Sequence, residues 1–455
     1  MKNRWLALLL VAVLTLAPCA LAEEDIGFTG ETESASEQAH DWRALLPTLQ
    51  DDGVLSEKLG ENKKITILTH YTFKGDVTDG FQQLYGGEVE EILCSVDEYS
   101  SKLSNMIAAG NPPDLVVCQS AMQPSLVVLA NAGLVQPFDP YLDYSVPELS
   151  ALKHTYDAGV WNGLHYLAPY CEEPIYIMVY NPVIFEEAGI ENPWALYQKG
   201  EWDWNAYRRV TETLNQFNQD GSINTLGTTI PGFAALASAS GIDFVEMRDG
   251  AYQVNLKDAS LTSAMNFLND MVYRDNVVKV KAQGAWSAYF RRGTLAMQII
   301  DYWQVKGQAE IAAAAKKGRL GIAPLPQNPA HNNSPEAYSV YSMSSGFCLS
   351  KGAKNPEGAA LFIRYLSYIN NYSNDELGIG VSFGLARMLE NGFTDEHLVQ
   401  YLTASDVSNS VISFGYGFMS DAGGWDFLGD QNNWTSYVES ILPGIEEKVR
   451  ELTAK

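Results

Sequence analysis

The histidines of this sequence, which are the commonest catalytic bases, are scattered and share no spacing that identifies a reaction. They stand at positions 40, 70, 154, 165, 331 and 397. Neither a His-Glu-x-x-His zinc helix nor a phosphate-binding P-loop occurs. The sequence therefore predicts a protein that is not an enzyme. A secreted glycosidase stays as an alternative, because two catalytic carboxylates meet only in three dimensions and need no fixed sequence spacing.

Four of the five cysteines, at positions 94, 118, 171 and 348, lie singly in apolar segments typical of β-strands. Isolated cysteines in such segments are usually buried as small apolar side chains. Because no Cys-x-x-Cys pair occurs, the pattern predicts no metal site, and nothing in the sequence calls for a cofactor. We expect four free thiols, with two disulfides as the alternative.

The composition is that of a globular protein large enough for more than one core. The chain has 455 residues, of which 46% are apolar and 19% charged. Its formal net charge of −25 at pH 7 would repel phosphate backbones and anionic lipid headgroups. These values argue against nucleic-acid binding and favour a neutral or cationic ligand.

The N-terminus has the three parts of an export signal. Lys2 and Arg4 form a basic start, an apolar segment runs from Trp5 to Ala17, and Ala20-Leu21-Ala22 has the small residues that signal peptidase accepts. We predict that residues 1–22 are a signal peptide. The apolar segment is too short to span a hydrocarbon layer about 30 Å thick.

A second mode of processing begins at Cys19, because Leu16-Ala17-Pro18-Cys19 resembles the lipobox of bacterial lipoproteins. A lipidated Cys19 would hold the protein at the extracellular face of the membrane, whereas cleavage after Ala22 would leave it free in the periplasm or outside the cell. Both alternatives stay open. Residues 23–61 are acidic and poor in apolar residues, which predicts a flexible tether.

Beyond the tether, β-branched strands alternate with segments of helical periodicity. The predicted strands are Ile65–Leu68, Val89–Leu93, Asp114–Cys118, Ile175–Tyr180, Leu295–Ile300 and Leu320–Ala323. The predicted helices are Tyr99–Ile107, Ala121–Ala132, Val183–Ala188, one with Tyr207, Val210, Leu214 and Phe217 on one face, Ala309–Lys316, one from Pro356, and Thr435–Leu452. This alternation predicts an α/β fold with a mostly parallel sheet.

Several short motifs follow one another in a fixed order between residues 62 and 455. They include Gly110-Asn111-Pro112-Pro113-Asp114, Gly163-Leu164-His165-Tyr166-Leu167-Ala168-Pro169, Tyr180-Asn181-Pro182 through Gly189-Ile190, Gly200-Glu201-Trp202-Asp203-Trp204, Gly293-Thr294-Leu295-Ala296-Met297 and Gly321-Ile322-Ala323-Pro324. Their types and order resemble bacterial extracellular solute-binding proteins of family 1, the family of maltose-binding protein.

The resemblance implies a two-lobed periplasmic-binding-protein-like fold of type II, with several crossings of the chain at a hinge and the ligand in the cleft between lobes. Lobe one is expected at residues 62–169 plus 340–385. Lobe two is expected at residues 170–339 plus 386–455, including the C-terminal helices.

A sugar offers an apolar ring face and a rim of hydroxyl groups. Its site therefore needs aromatic faces and side chains that donate hydrogen bonds to the hydroxyl groups and accept hydrogen bonds from them. The chain has 10 Trp, 24 Tyr and 17 Phe, most of which must pack in cores. By the resemblance, Trp303 is a sugar-stacking residue, and Asp301 and Glu173 accept from sugar hydroxyls. The alternative for Trp303 is packing at the rim of the cleft. The alternative for Asp301 is a turn at the strand end, and that for Glu173 is a solvated position in the crossover.

Further candidate contacts follow predicted strands, stand in the crossover between lobes, or lie near the C-terminus. They are His70, Tyr71, Gln119, Ser120, Tyr170, Trp434, Trp425 and Tyr416. Core packing or a turn is the alternative role for these residues.

The function that the resemblance implies is that of the solute-binding component of an ABC importer. Such a protein is expected to be a monomer that captures a carbohydrate, closes around it and delivers it to permease subunits in the membrane. Capture of a non-sugar solute, or presentation of the ligand to a sensor, is the alternative within the same class.

Overall fold

The computed structural model describes residues 53–453 except 55, 74, 122–124, 151, 232–233, 249–250, 279–285, 331–338, 372–384, 386, 416–417 and 420–432. It divides into two compact units. Unit 1 contains the described residues up to Glu172 and those of the range Ser344–Ala386, and unit 2 contains Glu173–Met343 and the described residues from Arg387 onward. The predicted signal peptide and most of the predicted tether lie outside the described residues.

The strands are numbered in chain order. They are β1 (Lys64–Thr69), β2 (Glu88–Leu93), β3 (Leu115–Gln119), β4 (Val135–Gln136), β5 (Val160–Trp161), β6 (Leu164–His165), β7 (Ala168–Pro174), β8 (Tyr176–Tyr180), β9 (Gln216–Phe217), β10 (Ile223–Thr225), β11 (Val245–Arg248), β12 (Ala251–Val254), β13 (Met297–Asp301), β14 (Gly321–Ala323), β15 (Val340–Ser350) and β16 (Ser410–Ile412).

The α-helices are numbered in the same way. They are α1 (Gly75–Tyr85), α2 (Tyr99–Ala108), α3 (Leu126–Asn131), α4 (Pro147–Ser150), α5 (Lys153–Ala158), α6 (Pro182–Ala188), α7 (Pro193–Gln198), α8 (Trp204–Leu214), α9 (Ala259–Asn269), α10 (Trp286–Arg292), α11 (Trp303–Gly307), α12 (Ala309–Lys316), α13 (Pro356–Asn371), α14 (Asp395–Ala404) and α15 (Trp434–Thr453). No helix within the described part of the chain is both long and apolar enough to cross a membrane.

The sheet of unit 1 is parallel where the chain alternates strand and helix. Strand β1 pairs in parallel with β2 and with β3. The second half of β15 then joins β3 in the antiparallel sense, with Ser345 opposite Gln119. Ile65, Ile67 and Phe347 are fully buried, as expected for strands covered on both faces. The core on one side is aromatic, with Phe347 stacked on Phe73 at 5.8 Å between ring centroids.

A buried carboxylate joins three elements of unit 1. Asp114, which precedes β3, accepts hydrogen bonds from the backbone N–H and hydroxyl of Thr66 in β1, both at 2.9 Å. Its other oxygen accepts from the backbone N–H groups of Lys354 and Asn355, at 2.9 and 2.8 Å, just before α13. The aspartate of the motif at 110–114 is thus a structural residue.

The sheet of unit 2 departs from the predicted parallel arrangement. Strand β8 pairs with β13 on one side and β14 on the other, and both pairs are antiparallel. The partners of β8 follow more than 100 residues later in the chain, so the order of elements carried no information about strand direction. Every residue of β8 is buried. A side chain at Gly321 would overlap the ring of Tyr180, which explains the glycine that opens β14.

Local signals set the ends of the unit 2 helices. The Asn181 side chain accepts from the backbone N–H of Val183, Pro182 occupies the first turn of α6, and Gly189 closes the helix at a φ of 67°. Asp203 caps α8 in the same way, accepting from Ala206 at 2.8 Å. Trp202 beside it donates its indole N–H to the carbonyl of Pro324 at 3.0 Å.

Two sequence predictions were wrong in detail. Helix α8 ends at Leu214, and Phe217 lies instead in β9, where it is 45% exposed. In the unprocessed chain Cys94, Cys118 and Cys348 are free, as expected, but Cys171 is disulfide-bonded. The apolar pattern around Cys171 is the same as around the free thiols, so the sequence could not separate them.

Candidate functional site

One edge of the unit 2 sheet brings together three predicted ligand contacts. The last residue of β13, Asp301, pairs with Tyr176 at the start of β8, and Glu173 lies three residues before Tyr176. Helix α11 begins at Trp303, two residues after Asp301. Because β8 and β13 are antiparallel, the end of one and the start of the other meet at the same edge.

Asp301 and Trp303 are close neighbours at this edge. The Trp303 side chain interacts with the Asp301 carboxylate, and its indole N–H is the only donor that it offers. Trp303 is half-buried. Burial raises the pKa of Asp301 to about 6, and the interaction with Trp303 opposes that rise. The arrangement places an aromatic side chain next to a carboxylate that ionises near neutral pH.

Glu173 has a partner that the sequence did not suggest. Its carboxylate lies 3.4 Å from the ammonium of Lys306 on α11, and the two side chains are 10% and 16% exposed. The ammonium also lies over the ring of Tyr302 at 5.4 Å from its centroid. Tyr302 stacks on Tyr401, and the two buried hydroxyl groups are hydrogen-bonded to each other.

Three aromatic candidates of unit 1 form a contact cluster. His70 is half-buried between Tyr71 and Tyr99, and its Nδ1 lies 3.3 Å from the Tyr99 hydroxyl. Burial lowers the pKa of His70 to about 4, so the ring is neutral at physiological pH. Tyr71 and Tyr170 are buried in the aromatic core, with their hydroxyl groups 3.0 Å apart. The structure therefore gives both tyrosines the alternative role, core packing.

The other two candidates of unit 1 lie where β3 meets β15. Gln119 donates from Nε2 to the Ser345 hydroxyl at 3.1 Å. Its buried Oε1 has no hydrogen-bond partner among the described residues. Ser120 exchanges two bonds with Ser344, its hydroxyl accepting from the backbone N–H and its own N–H donating to the carbonyl, both at 3.0 Å. Gln119 thus keeps a buried acceptor without a hydrogen-bond partner among the described residues, whereas Ser120 is used by the fold.

The C-terminal candidates are one core residue and two that lie outside the described residues. Trp434 is fully buried and donates its indole N–H to the carbonyl of Leu256 at 3.0 Å. It packs against Phe244, so as placed it offers no ring face to a ligand. Trp425, Tyr416 and the predicted lipidation residue Cys19 are not among the described residues. Within the described ranges, no group of three His, Cys, Asp or Glu could hold a metal ion.

A sequence model of a protein family, described as bacterial extracellular solute-binding protein, matches residues 76–371. This chain belongs to that family. The match covers more than half of the solute-binding protein and includes β13, which ends at Asp301, and α11, which carries Trp303 and Lys306. None of the curated protein sequences matches it.

Solved structures of similar fold are distant in sequence. An ABC substrate-binding protein of Listeria monocytogenes, Lmo0181 in complex with cycloalternan, is 17% identical with a TM-score of 0.60, covering 87% of this chain and 98% of its own. The GacH receptor of Streptomyces glaucescens, also solved with acarbose, is 16% identical with a TM-score of 0.59, covering 86% and 98%. A maltose/maltodextrin-binding domain of Bdellovibrio bacteriovorus, bound to maltotriose, is 17% identical with a TM-score of 0.56, covering 85% and 100%. The predicted fold class is confirmed.

Proposed function

We propose that this solute-binding protein captures a carbohydrate outside the cell and passes it, chemically unaltered, to the permease subunits of an ABC importer. The observation that carries the proposal is the half-buried Trp303 side chain at the start of α11, beside the carboxylate of Asp301 at the end of β13. A sugar can stack on such a ring while the carboxylate accepts from its hydroxyl groups. The three related structures were solved with cycloalternan, acarbose and maltotriose, which supports the same ligand class.

A thermal-shift screen tests the ligand class. The full-length mature protein is heated with neutral mono- and oligosaccharides, with polyamines and with short peptides. A ligand that binds only the folded state raises the melting temperature by mass action. We expect at least one oligosaccharide to raise it. If polyamines or peptides raise the melting temperature and no saccharide does, the ligand is another solute and not a carbohydrate.

The charge state of Asp301 predicts how binding depends on pH. The carboxyl group is ionised above a pKa of about 6 and protonated below it. Because the ionised carboxylate is the stronger acceptor for sugar hydroxyls, we expect affinity to be full at about pH 8 and about tenfold lower at about pH 5. His70 is already neutral over this range. Calorimetric titrations at both pH values measure the change.

The control for this titration is Asp301→Asn, which keeps the shape and one acceptor oxygen but does not ionise. Its affinity should be almost the same at the two pH values. If the wild-type protein and the variant lose affinity equally on acidification, another group is responsible, and Asp301 does not contact the ligand in the way proposed.

One spacing typical of hydrolases does occur in the chain. Gly380-Val381-Ser382-Phe383-Gly384 has the pattern of a nucleophile elbow, and it lies outside the described residues. A nucleophilic serine needs a histidine base within hydrogen-bond reach. We expect no hydrolysis of oligosaccharides or esters by the wild-type protein. Turnover that disappears in Ser382→Ala would show an enzyme and would contradict the proposal.

Family membership implies export, and two mature forms stay in question. Intact-mass spectrometry of the protein from its own membrane or culture fluid separates them. A diacylated Cys19 at the N-terminus would place the protein on the cell surface by a lipid anchor, whereas a free Glu23 would exclude the anchor. The hinge closure and the monomeric state implied by the resemblance stay predictions.

A further inference from the structure

An ion pair at the candidate site has no counterpart in the sequence motifs. Lys306 lies on α11, three residues after Trp303, and its ammonium is 3.4 Å from Glu173. Both side chains are nearly buried, with exposed fractions of 16% and 10%. Ion pairs on the surface contribute little, but an almost buried pair interacts strongly and each partner depends on the other.

The surroundings keep Lys306 charged. Burial alone would lower the pKa of its ammonium, but the Glu173 carboxylate and Tyr302 outweigh burial and raise that pKa above the usual value. The ammonium lies over the rings of Tyr302 and Tyr401, at 5.4 and 5.8 Å from their centroids. The charge of Arg387 acts on it in the opposite sense. Close to Trp303 there are thus two carboxylates, Asp301 and Glu173, of which Glu173 is paired with Lys306.

We propose that Lys306 is a specificity-determining residue that sets the charge class of the saccharide bound beside Trp303. The inference rests on the proposed function and names its substrate class: a saccharide without net charge. With Lys306 present, the negative charge of Glu173 is compensated, so the Glu173–Lys306 pair gives neither an amino sugar nor a uronate an advantage over a neutral sugar. Removal of either partner leaves the other charge uncompensated near the ligand.

The size of the effect follows from Coulomb's law. In a partly desolvated site, an uncompensated unit charge changes the affinity for a ligand by about tenfold when a charged group of the ligand lies several ångströms away. That factor corresponds to ~1.4 kcal/mol. The direction of the change in affinity distinguishes an effect of charge from structural damage. General damage to the site would weaken all saccharides alike, whereas an uncompensated charge changes the ratio between amino, neutral and acidic forms.

The experiment measures that ratio by calorimetry at low ionic strength. The probes are the neutral oligosaccharide with the largest effect in the thermal screen, its amino analogue and its uronate analogue. The variants are Lys306→Met, Lys306→Arg and Glu173→Gln. The matched control is Lys199→Met, which removes the cation of an exposed Lys–Glu pair in the same unit, where the side chains are 50% and 49% exposed.

Lys306→Met should raise the amino-to-neutral affinity ratio about tenfold, and Glu173→Gln should raise the uronate-to-neutral ratio by a similar factor. Lys306→Arg and Lys199→Met should leave both ratios as in the wild-type protein. Ratios unchanged in both neutralising variants, or moved in the same direction, would overturn the inference while the proposed function stands. If no oligosaccharide binds the wild-type protein, the proposed function itself fails. Should Lys306→Met not fold, Glu173→Gln alone decides by the same criterion.

Discussion

Replacing Asp114 with alanine should lower the free energy of unfolding of unit 1 by about 3 to 5 kcal/mol. The carboxylate accepts two hydrogen bonds from Thr66 in β1 and one each from the backbone N–H groups of Lys354 and Asn355. Alanine leaves these donors without their acceptor, at a position where Asp114 itself is only 3% exposed. Each orphaned buried donor costs about 1 to 3 kcal/mol, with partial relief from water.

Denaturant unfolding measures the loss, and hydrogen exchange localises it to β1, β3 and the start of α13. Asp157→Ala is the control, because it removes a carboxylate from an exposed pair with Lys153 in the same unit, where the side chains are 58% and 70% exposed. That change should cost less than about 1 kcal/mol. A similar small loss for Asp114→Ala would show that these bonds do not hold the three elements together.

Replacing Trp303 with alanine should weaken saccharide binding about 10- to 100-fold, which corresponds to ~1.4 to 2.8 kcal/mol. The variant removes the ring face on which the sugar is proposed to stack, and it also removes the side chain that interacts with the Asp301 carboxylate. Calorimetric titration with the saccharide identified by the thermal screen measures the change. Trp303→Phe, which keeps a ring face but not the donor, should retain an intermediate affinity.

Trp194→Ala provides the matched control. Trp194 is also a half-buried tryptophan of unit 2, and it stacks on Tyr197 of the same helix at 5.7 Å. Its removal should leave saccharide affinity unchanged within about twofold. Unchanged affinity in Trp303→Ala, with the protein folded, would remove Trp303 from the site.

The sequence predicts most elements of this fold because their signals are local. The segment from Asn181 to Gly189 carries the cap, the first-turn proline and the closing glycine of α6 within nine residues. By contrast, the direction of β13 and β14 relative to β8 is decided by residues far apart in the chain. Helical periodicity also placed Phe217 on α8, although Asn215 turns the chain into β9. Short apolar segments fit more than one element type.

The candidate site is also predictable from the sequence only in part. The sequence places Asp301 and Trp303 at the end of a predicted strand, and in the structure they are the last residue of β13 and the first residue of α11. Lys306 and Glu173 are 133 residues apart, and no local pattern reveals such a pair. Trp434 was predicted as a ligand contact but lies in the core. A sequence does not distinguish a tryptophan that stacks on a ligand from one that packs in the core.

We propose that this solute-binding protein binds a neutral saccharide and releases it unchanged. Calorimetric titration of the wild-type protein with the saccharide chosen by the thermal screen, followed by denaturation and chromatography of the recovered sugar, tests both parts. We expect saturable binding of one saccharide per chain and full recovery of the intact sugar. Absence of saturable binding to any saccharide, or recovery of shorter sugars, would contradict it.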